Sequence, residues 1–306
     1  MDTSELLDCL IIGGGPAGLA AAIYLARFHL SVLVADSGES RADLIPLTRN
    51  LAGFPDGIAG SDFLARMRGQ AKRYGALQWE GKVDSLQGGL GNFLAQAGAE
   101  IFQARAVLLA TGVFNRRPNM PSNIHAEALS RGLLRYCPIC DGYEVTDTMV
   151  AVIGTGDHGT NEAEFLRSYT ADVTLIAPTG NHELDEVQRT RLDSGAIEAV
   201  DGPCLDFELM QHGVAITTPA GRRSFATVYA ALGSDVRSEL ATAAGAEVSR
   251  DRCPVVDSHQ RTSVAGLYAA GDVVRGLDQL SHAIGQGGVA AVAIRNDLAR
   301  LAPLRR

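Results

Sequence analysis

The chain has 306 residues, of which 46% are hydrophobic and 20% charged, and a formal net charge of −8. Those proportions exclude a disordered polar chain, and the acidity excludes a nucleic-acid platform, which needs a basic surface. No apolar run approaches the ~18 residues of a membrane helix. The start Met1-Asp2-Thr3-Ser4-Glu5 is acidic and unlike a secretory leader, so no membrane partner and a cytoplasmic location are expected.

The first predicted element is a buried strand, Leu7-Asp8-Cys9-Leu10-Ile11-Ile12. The turn Gly13-Gly14-Gly15-Pro16-Ala17-Gly18 follows, then an alanine-rich helix over Leu19 to Phe28 and a strand over Ser31 to Ala35. Asp36 ends that strand, where an acidic residue accepts hydrogen bonds from an adenosine ribose. Gly13 permits the tight turn, Gly15 lets backbone approach a pyrophosphate, and Gly18 lets the helix pack against the strand. The helix N-terminus then presents unpaired N–H groups to the phosphates.

A further strand runs from Gln103 to Gly112 and ends Leu109-Ala110-Thr111-Gly112. A second βαβ unit comprises a strand from Met149 to Ile153, the turn Gly154-Thr155-Gly156-Asp157-His158-Gly159, a helix from about Thr160 to Tyr169, and a strand from Val173 to Ile176. Near the end, Gly266 to Val273 reads as a strand and short turn, followed by a helix from about Ser281 to Leu301. The expected fold class is α/β, with two Rossmann-like three-layer nucleotide-binding domains, one inserted in the other. The expected boundaries are 1–116 and 236–306 for the outer domain and 117–235 for the inserted one.

Between the two glycine turns lies Cys137-Pro138-Ile139-Cys140-Asp141-Gly142. Two cysteines at this spacing close a small disulfide ring, and such thiols often have depressed pKa values. A thiolate of this kind can exchange electrons with a flavin, and Asp141 is placed to shuttle the proton that thiol–thiolate conversion needs. Half of a zinc site is the competing reading of the pair, but no second C-x-x-C or His pair completes a tetrahedron, and no metal ligand is assigned. A simple turn acid is the competing reading of Asp141. Cys9, Cys204 and Cys253 read as structural thiols.

These motifs, in this order, resemble the low-molecular-weight thioredoxin reductases and their relatives among flavin-dependent disulfide oxidoreductases. The resemblance covers nearly the whole chain, and rests also on Ala110-Thr111-Gly112 and Gly271-Asp272-Val273. It implies that the outer domain binds FAD and the inserted one a nicotinamide nucleotide, NADPH or NADH. By that resemblance Gly13, Gly15, Pro16, Ala17, Gly18 and Asp36 hold the ADP half of FAD. Asp272 bonds the ribityl chain, and Gln279, Leu280 and Ser281 lie along the flavin. Arg41 and Asn50 are further contacts, and Val83 meets the adenine through its backbone. Gly154, Gly156, Asp157 and His158 form the corresponding turn of the inserted domain. Cys140 faces the flavin, and Cys137 attacks the disulfide of a thioredoxin-like protein or a small molecule. A homodimer is also implied.

The chain departs from the family pattern in its second turn, where Asp157 and His158 stand inside the phosphate loop, and at the site of the 2′-phosphate. An aspartate near a pyrophosphate is electrostatically awkward unless its side chain points away. NADPH-dependent members carry a His-Arg-Arg run after the second strand of the inserted domain, where this chain has Ala177-Pro178-Thr179-Gly180-Asn181. Neither a guanidinium for a 2′-phosphate nor an acid for an NAD ribose stands there, and Arg189 and Arg191 lie further on. Three readings stay open: a reductase passing electrons from NAD(P)H to a disulfide, a dithiol oxidase running in reverse, and a flavin-loaded redox sensor.

Overall fold

A computed structural model describes residues 6–304; the reading of Met1 to Glu5 lies outside them. The chain divides into two compact units. One holds the residues up to Asp43, Ile58–Phe114, and those from Val236 on; the other holds Leu44–Gly57 and Asn115–Asp235.

The first unit is built on a seven-stranded sheet. The strands Leu77–Glu80, Val32–Asp36, Leu7–Ile12 and Glu100–Leu109 lie side by side and parallel, with Asp36 opposite Glu80 and Ile12 opposite Leu109. On its far edge Glu100–Leu109 pairs antiparallel with Asn92–Ala97 at one end and parallel with Leu267–Ala269 at the other. Apart from Asp8, which pairs with Arg105 at 2.9 Å, strand Leu7–Ile12 is apolar on both faces because both are covered, as a central parallel strand requires. The helices Pro16–Arg27 and Leu280–Leu301 cover one face together. They approach closely because both are alanine-rich and because Gly287 lies against the Ala17 carbonyl, where a Cβ would come within 2.2 Å.

The second unit has a five-stranded parallel sheet in the order Glu198–Val200, Val173–Ile176, Val150–Ile153, Thr227–Ala230, Leu134–Arg135. Helix Gly156–Leu166 buries Ala163 and Leu166 on one face, among Val150, Val152, Val173, Leu175 and Tyr229. A three-stranded antiparallel sheet, Asp206–Met210, Gly213–Thr218 and Gly221–Phe225, contributes Phe207, Val214, Ile216 and Phe225 to the core that includes Ala151 and Val228.

Both helices begin earlier than the sequence suggests, at Pro16 rather than Leu19 and at Gly156 rather than Thr160. Proline's fixed φ suits the first helical position, so the first helix starts within the glycine turn. The last strand is confined to Leu267–Ala269, because Gly271 at φ +81° turns the chain away. Among the described residues no helix is long and apolar enough to cross a membrane.

Candidate functional site: a disulfide and two glycine turns

Cys137 and Cys140 form a disulfide, with their Cα atoms 5.3 Å apart. Strand Leu134–Arg135 ends just before them, and Pro138 starts the short helix Pro138–Asp141 that brings the second sulfur back to the first. The Cys140 N–H donates to the Cys137 carbonyl at 3.0 Å and to its Sγ at 3.2 Å. Cys9, Cys204 and Cys253 are free and buried. Burial pushes the Cys204 thiol up to about 11 and raises Cys9 and Cys253 as well, so none supplies a thiolate near neutral pH.

Asp141 is more than a turn acid. Its Oδ2 meets the Arg135 guanidinium at 2.7 Å, and the Tyr229 hydroxyl donates to its Oδ1 at 2.9 Å. Sheet register explains the convergence, because Tyr229 lies directly opposite Arg135 on the neighbouring strand. Burial raises the proton affinity of Asp141 above the ordinary carboxylate range, opposed by Arg135 and by the Tyr229 hydrogen bond and reinforced by Glu144. Arg135 and Tyr229 were not singled out in the sequence, where nothing but strand register links them to the cysteines.

The folded protein therefore holds the Asp141 proton more tightly than the unfolded chain does. The stability this contributes is complete below the ordinary value of 3.8 and is lost as pH rises through the raised one. Tyr229→Phe removes a donor that the ionised carboxylate uses most. The expected loss is about 1–2 kcal/mol of unfolding free energy at pH 8 and less at pH 5, readable in denaturant melts at both pH values. Equal losses at the two would contradict this account.

In the first unit, Gly13 has φ +114° and a Cβ there would lie 2.2 Å from the Ala110 carbonyl oxygen, so only glycine fits. Gly14, not singled out in the sequence, lies against Asp36: a Cβ would stand 2.1 Å from its Oδ2, so the carboxylate would have to shift. Asp36 accepts from Gly38 N–H at 3.1 Å and from Arg68 at 3.4 Å. Gly15 caps helix Pro16–Arg27 with no side chain bonded to its first N–H groups. Gly18 packs on the Gly13 carbonyl, and Gly271 on Ala17. Thr111 donates to the Arg237 carbonyl at 2.6 Å, next to Ala110 and Gly112, and Val83 is buried.

Asp272 lies at the same end of this sheet, and Arg41 bridges it at 3.3 Å and Asp278 at 3.0 Å. Burial, with Asp278 adding to it against the pull of Arg41, pushes Asp272 up to about 6. Gln279 precedes the helix that Leu280 and Ser281 open. Asn50 stands apart from this group. It belongs to the second unit, where its Nδ2 donates to the Ile139 carbonyl between the two cysteines at 3.4 Å.

The second glycine turn is held from behind. The Asp157 carboxylate accepts from Gln188 at 2.8 Å, and Gln188 also completes a capping box with Asp185. The awkward acid is thus turned toward helix Glu186–Ser194. The Thr155 hydroxyl accepts from Glu183 N–H at 3.1 Å, and the His182 ring lies 3.2 Å from the Leu175 carbonyl. His158 lies near Gly233. Arg191 is engaged by Glu164 and by Asn161 at 2.8 Å.

The family model of the pyridine nucleotide-disulphide oxidoreductases matches residues 7–287. The chain belongs to that family. It is 33% identical to the thioredoxin reductase of Mycolicibacterium smegmatis, covering 95% of this chain and 97% of that one. It is 31% identical to the thioredoxin reductase of Streptomyces clavuligerus, covering 98% and 96%. Among solved structures, the crystal structure of HlmI superposes with a TM-score of 0.88 at 28% identity, covering 96% and 93%. The protein is therefore a thioredoxin reductase-like, flavin-dependent disulfide oxidoreductase with two Rossmann-like domains, and the family implies FAD and NADPH.

Proposed function

We propose that the chain moves electrons between FAD held by the first unit and the Cys137–Cys140 disulfide, and on to a thioredoxin-like protein or a small disulfide. The observation that carries this reading is the closed disulfide with Asp141 fixed beside it by Arg135 and Tyr229. Flavin supplies a two-electron couple matched to a disulfide. The first glycine turn suits its pyrophosphate, since the helix N–H groups are uncapped and a Cβ at Gly15 would meet only Ser40 Oγ, at 3.4 Å.

On this reading Gly13, Gly15, Pro16, Ala17 and Gly18 hold the pyrophosphate and Asp36 the ribose. Val83, Ala110, Thr111, Gly112 and Gly271 line the flavin nucleotide. Arg41, Asp272, Gln279, Leu280 and Ser281 position the remainder, and Asn50 steadies the cysteine helix. Cys137 attacks the partner's disulfide through a mixed disulfide, which leaves Cys140 as the second sulfur, and Asp141 delivers or takes the proton. The protein acts as a cytoplasmic homodimer.

Electrons enter from a nicotinamide nucleotide at the second turn, through Gly154, Gly156, Asp157 and His158. The segment 177–185 holds no arginine or lysine, so a bidentate clamp on a 2′-phosphate is missing there. NADPH and NADH should therefore differ by less than about tenfold in kcat/KM. Anaerobic titration of the purified yellow protein, followed by flavin absorbance, tests this. Bleaching by either nucleotide at similar concentration supports the reading. Bleaching only by dithiols, with peroxide released in air, would assign the reverse reaction, and slow turnover with every donor would leave a sensor.

A further inference from the structure

Glu162 is an acidic side chain near the cysteine site that the mechanism above does not use. It lies on helix Gly156–Leu166, whose Ala163 and Leu166 pack into the same core as Tyr229. The same helix packs against the short cysteine helix Pro138–Asp141. The Glu162 Oε1 is shut off from solvent and has no hydrogen-bond partner among the described residues. A carboxylate is rarely left in that condition, because an unpaired buried charge is costly. A proton on Glu162 removes the charge.

Five groups share this pocket of charge: Arg135 and Tyr229 from adjacent strands, Asp141 and Glu144 from the cysteine segment, and Glu162 from the helix. Arg135 and Tyr229 both point their donors at Asp141. Arg135 therefore serves Asp141 while Arg49 meets Glu144 at 3.4 Å, and the two carboxyls Asp141 and Glu162 divide their roles as paired acids do when their surroundings differ. Burial, with the Asp141 charge adding to it, pushes Glu162 up to about 8.

We propose that Glu162 is the proton store of the cysteine pair, holding at neutral pH the proton that Asp141 relays to and from the sulfur. This rests on the reading of Asp141 as proton carrier. Glu162 acts through Asp141 and does not touch the sulfurs. The step balances for a dithiol donor. Its thiolate, formed by release of a proton to solvent, attacks Cys137. A mixed disulfide forms, the Cys137–Cys140 bond breaks, and the Cys140 sulfur leaves as a thiolate. Asp141 takes a proton from Glu162 and passes it to that sulfur, and Glu162, only half-buried as a residue, recharges from solvent. The second donor thiol then loses its proton to solvent and attacks the mixed disulfide. Oxidised donor leaves, and Cys137 departs as a thiolate that takes a proton from solvent. The donor's two electrons now reside in two protein thiols.

The test is the rate of opening of the disulfide by dithiothreitol in the holoprotein between pH 6 and 9, read by acid quench and alkylation and normalised to the thiolate of the donor. The wild-type constant should fall as pH passes about 8, the value at which Glu162 gives up its proton. Glu162→Gln should remove that inflection and slow the reaction about tenfold at pH 7. An unchanged inflection in Glu162→Gln would overturn the proposal. Asp141→Asn separates the two readings: reduction at the parent rate in that variant would defeat the Asp141 assignment itself, and with it the store. The infrared spectrum of the wild type supplies a readout independent of any variant's folding. A protonated carboxylic band present in the oxidised protein at pH 7 and lost through about pH 8 is expected, and its absence would contradict the proposal.

Discussion

Cys140→Ser should retain FAD and its yellow colour while losing disulfide turnover by a factor on the order of 10³ or more, since removal of one member of an essential catalytic pair commonly costs that much or more. Among the described residues, the disulfide is the one group in the second unit that can take up two electrons, and a serine hydroxyl cannot close the ring. Serine is close in volume to cysteine, and Cys140 is only partly buried, so the fold should survive with a loss below about 1 kcal/mol. Turnover of a protein or small disulfide, assayed alongside flavin content, checks both halves. A variant that keeps the parent rate would show that electrons bypass the pair, and one that loses its flavin would make the comparison one of folding rather than chemistry.

Gly13→Ala should destabilise the first unit by about 3 kcal/mol or more and leave the purified protein largely without flavin. Two penalties act together there. The φ of +114° is one that a residue with a Cβ rarely adopts, and the new methyl carbon would stand 2.2 Å from the Ala110 carbonyl oxygen. That oxygen belongs to backbone fixed by the Ala110 N–H bond to the Ile12 carbonyl at 2.8 Å, so it cannot move aside cheaply. Gly69→Ala provides the contrast. It lies within helix Gly60–Arg73 with nothing within 4 Å of the added carbon, and should stabilise the protein by about 0.5–1 kcal/mol. Denaturant midpoints of the two variants, with flavin absorbance per chain, distinguish conformational strain from a general intolerance of added volume.

The two βαβ units were legible because their strands are short apolar runs bounded by glycine, and Val173–Ile176 forms as its sequence suggests. The antiparallel elements carry no such signal. Ser85–Gly89, Asn92–Ala97 and the strands between Asp206 and Phe225 are short and mix polar with apolar residues, so neither period stands out. At the cysteine site, Cys137, Cys140 and Asp141 announce themselves by spacing. Arg135, Tyr229 and Glu162 do not, because their role depends on a strand pairing and on the face that one helix turns inward. Gly14 is instructive in the same way. It reads as a spare glycine in the turn until the Asp36 carboxylate is seen lying against it.

Electron exchange between a bound flavin and the Cys137–Cys140 pair can be counted by reductive titration of the anaerobic holoprotein with dithionite. A flavin and a disulfide that communicate should together take up about four electrons per chain, and Cys140→Ser about two. The thiols counted after quenching should rise by about two in the wild type as the titration completes. Full bleaching of the wild type after about two electrons, with the disulfide still closed by mass, would contradict the account.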